Sequence, residues 1–124
     1  MRKGPLKILL IEDDNFISEI YCHKLTDSGF NVKSGRDGLE GLALFRDFKP
    51  DLVLLDIMLP KKSGWEVLKE LRASGDKKAK IIMLTNLGEK DKIKQALEMG
   101  ADDYLIKASL TPTELAEIIR DKME

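Results

Sequence analysis

From Leu6 to Asp14 the chain reads L-K-I-L-L-I-E-D-D, and from Asp51 to Asp56 it reads D-L-V-L-L-D. Each is a short apolar run that stops abruptly at carboxylates. Apolar residues at successive positions suit a strand buried on both faces, and such strands belong to parallel sheets covered by helices on either side. Ile81–Leu84 and Tyr104–Ile106 repeat the signal, and Asn31–Ser34 is a weaker fifth strand, expected at a sheet edge.

The segments between these runs carry a helical period. Ile17, Ile20, Tyr21 and Leu25 share one face, as do Val67, Leu68 and Leu71, then Ile93, Ala96 and Leu97, then Leu115, Ile118 and Ile119. Leu39, Leu42, Phe45 and Phe48 step by three through another segment. Asp37 with Glu40, Ser63 with Glu66, and Thr111 with Glu114 offer helix caps, and Pro112 fits a first helical position, where its missing N–H costs nothing. Gly29, Pro50, Gly75 and Gly100 stand where the helices should stop. A β-α unit repeated five times predicts an open, doubly wound α/β sheet.

The totals suit a single domain spanning residues 1–124, long enough to bury a core without staples. A hydrophobic fraction of 43% with 35% charged residues is that of a soluble globular chain, and a net charge of −1 gives no global field for nucleic acid or an anionic membrane. Cys22 is the only cysteine, which excludes an intrachain disulfide and fits a reducing compartment. Met1-Arg2-Lys3 precedes an apolar stretch too short for a signal-peptide core, and no run is long enough to span a membrane. The expected location is the cytoplasm.

In a parallel sheet all strands point one way, and ligands bind outside their carboxyl ends. The first strand ends in Glu12-Asp13-Asp14, the third in Asp56, the fourth in Thr85 and the fifth in Lys107. With strands one and three as neighbours, their acids meet in one crevice. Two carboxylates ~4 Å apart repel by about 4 kcal/mol at an effective dielectric near ~20. A single ammonium, Lys107, is too little for three or four acids, and a hard divalent cation such as Mg²⁺ is the natural complement. Acids at one strand end are ordinarily solvated loop residues, and Asp14 is equally suited to capping the following helix. The joint pattern of acids, hydroxyl and lysine is harder to assign to solvation alone. A carboxylate can act as a nucleophile and form an acyl phosphate, and phosphoryl transfer then needs positioning and charge stabilisation on the equatorial oxygens. Asp56 is the best-placed nucleophile.

In this order, I-L-L-I-E-D-D, P-D-L-V-L-L-D-I-M-L-P with S-G following, I-I-M-L-T-N and G-A-D-D-Y-L-I-K resemble the receiver domain (CheY-like) of bacterial two-component response regulators. The resemblance runs from about Lys7 to Lys122. It implies a flavodoxin-like (βα)5 fold with a five-stranded parallel sheet in the order 2-1-3-4-5, an order the family supplies as a standard case of this architecture. It further implies Asp56 as phosphoacceptor, with Asp13 binding Mg²⁺ directly, Glu12 binding it through water and the backbone carbonyl of Met58 as a further ligand. Thr85 and Lys107 would contact the phosphoryl oxygens, and Tyr104 would be the aromatic switch working with Thr85. The implied donor is a histidine kinase or phosphotransfer protein. Mg²⁺-dependent self-phosphorylation from phosphodonors and slow autodephosphorylation follow, and the reader would be a downstream effector or a phosphorylation-dependent homodimer. Neither direct nucleic-acid binding nor membrane contact is expected of this domain.

Three departures stand out. Ala108 occupies the position after Lys107 that is usually Pro, Glu12 is the longer acid of its pair, and Ile118 stands where receivers of winged-helix regulators commonly carry an Arg for dimer ion pairs. Two other functions are compatible with the acid set. A Mg²⁺-dependent aspartyl phosphatase would want a second Asp two residues after Asp56, where Met58 stands, and a cap domain; a pseudo-receiver would be a binding module only. A G-x-G-x-x-G loop is missing, so a dinucleotide site is not expected. His23 and Cys22 read as helix residues without chemistry, Trp65 as packing or surface, and Lys61, Lys62, Lys77, Lys78 and Lys80 as a solvated face.

Overall fold

The structure, a computed structural model, describes residues 4–75 and 78–123; Met1-Arg2-Lys3 and Lys77 lie outside the described residues. Five strands alternate with five helices: β1 (Lys7–Ile11), α1 (Asn15–Asp27), β2 (Asn31–Gly35), α2 (Gly38–Phe48), β3 (Leu52–Leu55), α3 (Gly64–Ala73), β4 (Lys80–Thr85), α4 (Lys90–Glu98), β5 (Asp103–Ile106) and α5 (Pro112–Met123). A short 3-10 turn, Lys107–Ser109, leads from β5 towards α5. All strand pairs are parallel, and the order is β2-β1-β3-β4-β5.

The central strands are buried on both faces, and their side chains divide between two cores with the period of two that a strand imposes. Leu9, Ile11, Val53, Leu55, Ile81 and Met83 face Phe45, Phe48, Val67, Leu68, Leu71 and Ala96 of α2, α3 and α4. Ile8, Leu10, Leu52, Leu54, Ile82 and Leu84 face Tyr21 and Leu25 of α1 and Leu115, Ala116 and Ile119 of α5. Both β2 and β5 are edges, as the order expected from the resemblance requires, and β5 is half-buried along its length.

The helix signals hold with adjustments. Ser63 and Glu66 form a reciprocal capping box, Asp37 accepts from the Glu40 N–H, and Thr111 and Glu114 cap each other across the start of α5. In place of a glycine, Lys49 takes the left-handed conformation after α2, at φ 52°, with Pro50 following. Three expected core residues instead face solvent: Ile20, Leu39 and Leu97 are 39%, 50% and 46% exposed. Ser18, Gly41 and Ala96 sit on the inward stripes, because small residues let the helices approach the sheet closely.

Candidate functional site

The acids converge because of strand register. Ile11 pairs with Leu55 across β1 and β3, so the next residues, Glu12 and Asp56, stand side by side beyond the ladder. The backbone continues the pairing: the Asp56 N–H donates to the Ile11 carbonyl at 3.1 Å and the Glu12 N–H to the Gly35 carbonyl at 3.0 Å. Leu55 pairs with Met83, placing Thr85 two residues further along β4, and Thr85 pairs with Ile106, placing Lys107 one step past the end of β5. Four strand ends thus deliver an acid pair, a hydroxyl and an ammonium to one edge of the sheet.

Lys107 reaches across that edge. Its Nζ donates to Glu12 Oε1 at 2.6 Å and to Asp56 Oδ2 at 3.0 Å. All three groups are sequestered: Glu12 is 2% and Asp56 6% exposed, and the Lys107 side chain 9%. The remaining oxygens are engaged as well, Glu12 Oε2 by the Asp14 N–H at 3.1 Å and Asp56 Oδ1 by the Ile57 N–H at 2.7 Å. Burial pushes the Glu12 carboxyl above its usual range, against the Lys107 and Asp14 hydrogen bonds. Burial alone would lower the Lys107 pKa, but its bonds to Glu12 and Asp56 and their charges raise it overall.

Glu12, Asp13 and Asp56 each offer a carboxylate oxygen, and these oxygens lie within 4.8 Å of one another. Three carboxylates against one ammonium leave two formal negative charges, and oxygen-only donors suit a hard dication. The residues present therefore fit Mg²⁺. Asp13 is exposed at the mouth and lines a groove together with Met58, whose side chain is also exposed. Asp14, in contrast, caps α1 by accepting from the Ile17 N–H.

Thr85 is 1% exposed, and its Oγ1 accepts from the Leu87 N–H in a long 3.5 Å contact. The Leu87 carbonyl in turn accepts from the Tyr104 hydroxyl. Tyr104 is half-buried against the α2–α4 core, and burial raises its phenol pKa, with Glu89 and Asp56 adding to the shift. Thr85, Leu87 and Tyr104 form one hydrogen-bonded line from the acid site towards β5.

Gly64 fixes the loop between Asp56 and α3. Its N–H donates to the Ile57 carbonyl at 2.8 Å, and a Cβ there would lie 2.1 Å from the Asp56 carbonyl oxygen. The position after Lys107 departs in a specific way. Among the described residues no peptide bond is cis, and the Ala108 N–H, which a proline would lack, donates to Asn86 Oδ1 at 2.9 Å. The sequence pattern assigned Asn86 no role; the paired signal was a polar residue after Thr85 and a non-proline after Lys107. Tyr21 was read only as a core residue, yet it lies within electrostatic reach of Lys107 and Glu12, and burial raises its phenol pKa.

The other residues singled out in the sequence lie apart from this edge. His23 is solvent-exposed on α1 and pairs with Asp27, and Cys22 Sγ lies 4.0 Å from Ser18 Oγ. Trp65 is half-buried against the α2–α4 core and lines the groove beside Asp13 and Met58. Lys61 pairs with Asp37 and Lys62 with Glu70, as a solvated face would. No helix among the described residues is long and apolar enough to cross a membrane.

The family model described as "Response regulator receiver domain" matches residues 8–120. The chain is 41% identical over 114 residues to "Probable transcriptional regulatory protein SilR" of Salmonella typhimurium, a match covering 92% of this chain and 48% of that protein. Curated relatives of this kind are about twice as long as the region matched; the chain spans about half of their length. Among solved structures, the Vibrio cholerae chemotaxis protein CheY4 superposes with a TM-score of 0.88 at 28% identity, covering 95% of this chain and 98% of that one. The BeF3-activated N-terminal receiver domain of Klebsiella pneumoniae RstA gives 0.84 at 35% identity, covering 92% and 95%.

Proposed function

This chain belongs to the response regulator receiver domain family, the phosphorylation-controlled switches of two-component systems, and on that premise we propose that Asp56 is its phosphoacceptor. The observation that carries the proposal is Lys107 bridging Glu12 and Asp56 at the carboxyl edge of the sheet. A buried ammonium shared by two carboxylates is already aligned with the oxygen that attacks and can move onto the phosphoryl oxygens as charge shifts there.

In the proposed reaction Asp56 Oδ2 attacks the donor phosphorus. The bond from phosphorus to the leaving group breaks, and the leaving group, an imidazole when the donor is a phosphohistidine, departs with the electron pair. Lys107 and the Thr85 hydroxyl hold the equatorial oxygens of the phosphoryl group. Glu12, Asp13, Asp56 and the Met58 carbonyl would hold Mg²⁺, which when bound supplies charge neutralisation at the phosphoryl oxygens. Slow hydrolysis, with water attacking phosphorus and phosphate leaving, returns the Asp56 carboxylate.

The phosphoryl group adds negative charge and acceptor oxygens beside Thr85. Drawing the hydroxyl inward pulls on Leu87 and releases or reorients the Tyr104 hydroxyl, which couples the acid site to the surface of α4, β5 and α5. A histidine kinase or phosphotransfer protein is the proposed donor. Because the curated relatives are named as transcriptional regulators, a downstream effector domain or protein, or a second copy of the chain, is the proposed reader of that surface. We place residues 1–124 in the cytoplasm as one receiver unit.

The test is acetyl phosphate with Mg²⁺, followed by intact mass. The expected result is one phosphoryl adduct, labile to alkaline hydroxylamine and missing from Asp56→Asn. An adduct resistant to hydroxylamine, or equal labelling of Asp56→Asn, overturns the assignment.

A further inference from the structure

The hydrogen bond from the Ala108 N–H to Asn86 Oδ1, at 2.9 Å, joins two loops whose adjacent residues have the same proposed task. Asn86 follows Thr85 and Ala108 follows Lys107, the two proposed contacts of the phosphoryl group. The β4–β5 ladder ends at the pairing of Thr85 with Ile106. Beyond it the chain leaves the sheet, and the Lys107 carbonyl turns back to accept from the Leu110 N–H at 3.1 Å, closing the 3-10 turn. Lys107 therefore stands on the first residue past an edge strand whose four residues are all only half-buried.

The Lys107 side chain has to span from that edge to β1 and β3, and a long, flexible ammonium places its charge only as well as its backbone is held. The Asn86 side chain crosses from the loop after β4 and holds the backbone at the adjacent residue. Both Asn86 and Ala108 are exposed, so the bond competes with water and its contribution to global stability is small. Its geometric effect is larger, because it sets where the Lys107 turn sits relative to Thr85. A proline at 108 has no N–H to donate, so this device depends on the departure seen in this chain.

We propose that Asn86 is a positioning residue for the phosphoryl-transfer site: its side-chain carbonyl ties the Lys107 turn to the Thr85 loop, so that the two phosphoryl contacts keep a fixed spacing and move together. The inference rests on the reading of Thr85 and Lys107 as phosphoryl contacts.

The experiment is a double-mutant cycle of Asn86→Ala with Ala108→Pro in the full chain, reading the rate of Asp56 modification by acetyl phosphate with Mg²⁺. Asn86→Ala is expected to slow modification about three- to tenfold, the size one solvent-exposed hydrogen bond supports. In the Ala108→Pro background the same change is expected to have a ratio near one. An equal loss in both backgrounds, or no loss with Ala108 present, overturns the proposal. Should Ala108→Pro fail to fold, the single variant decides by nuclear magnetic resonance. Faster exchange of the Ala108 amide together with a displaced Lys107 ammonium signal supports positioning. A Lys107 signal that stays in place while the Ala108 amide is released overturns it, since a purely structural tie would move the urea midpoint and leave Lys107 where it was. A wild-type chain that takes no phosphoryl group removes the Asp56 reading and this inference together, whereas a labelled wild type with an unchanged Asn86→Ala rate removes this inference alone.

Discussion

Lys107 is the residue on which the electrostatics of the acid edge turn. The sequence suggested one distant positive charge, inadequate for the acids; the structure places its Nζ in direct contact with two of them. Replacing Lys107 by Met leaves two buried carboxylates without a counter-charge. Urea unfolding of the metal-free protein at pH 7 should show a loss of about 3–5 kcal/mol, the range for breaking a buried pair on one side. The loss should shrink as pH falls, because Glu12 can take up a proton. The signs follow from linkage. Glu12 has a raised folded pKa, so the native state holds its proton more tightly and stability falls as pH rises through the window above its ordinary 4.5. Lys107 is raised as well, so its contribution is intact below its ordinary 10.5 and lost as pH rises through its folded value. Tyr21 and Tyr104, both raised from 10.0, act in the same direction. Wild-type stability should therefore show no loss from these three groups between pH 8 and their ordinary values of 10.0 and 10.5, and a decline above them; a loss of the Lys107→Met defect at neutral pH would contradict the pairing described.

At the scale of elements, α3 and its own Arg72 show where local sequence suffices and where it does not. Gly64→Ala places a Cβ 2.1 Å from the Asp56 carbonyl oxygen, and the conflict is with backbone, so it cannot be relieved by a rotamer change. Denaturant melts should show a loss of about 1–3 kcal/mol, accompanied by chemical-shift changes at Asp56 and Ile57. Arg72 donates to the Gly100 carbonyl at 2.8 Å, to the Ala79 carbonyl at 3.2 Å and to Asp102 Oδ2 at 2.7 Å, joining α3 to the segments that flank β4 and β5. Arg72→Ala should cost about 1.5–3 kcal/mol by the same measurement, the range for hydrogen bonds to a charged group. A cost near zero would mean that water replaces these bonds. The Ser63 and Thr111 caps, and strands such as Leu52–Leu55, could be read directly because their signals are local in the chain. Leu39 could not be placed because a step of three drifts around a helix, and Ile20 and Leu97 because the inward stripe is set by where small residues such as Ser18 and Ala96 allow contact with the sheet. Arg72 gave no signal because Gly100 and Asp102, which it joins to α3, are distant in sequence. Asn86 and Ala108 were similarly opaque: each is ordinary alone, and only the β4–β5 register brings them together.

At the scale of the molecule, the acid edge is read because parallel strands end together, a property of topology that the motifs implied and the register carries out. The proposed switch uses the hydrogen-bonded line Thr85–Leu87–Tyr104, which runs from that edge to β5. Phosphorylation can shift the population of the two arrangements of this line only by as much as the phosphoryl group prefers one of them. Thr85→Ala should leave Asp56 open to modification while cutting the line at its first residue. The decisive measurement is amide hydrogen exchange on the wild type with and without the phosphoryl group on Asp56, with Thr85→Ala treated identically. The account predicts changed protection at the acid loops that continues through Leu87 and Tyr104 into α4 in the wild type, and that stops at the acid loops in Thr85→Ala. Changes confined to the acid loops in both proteins, or equally extensive in both, would contradict it.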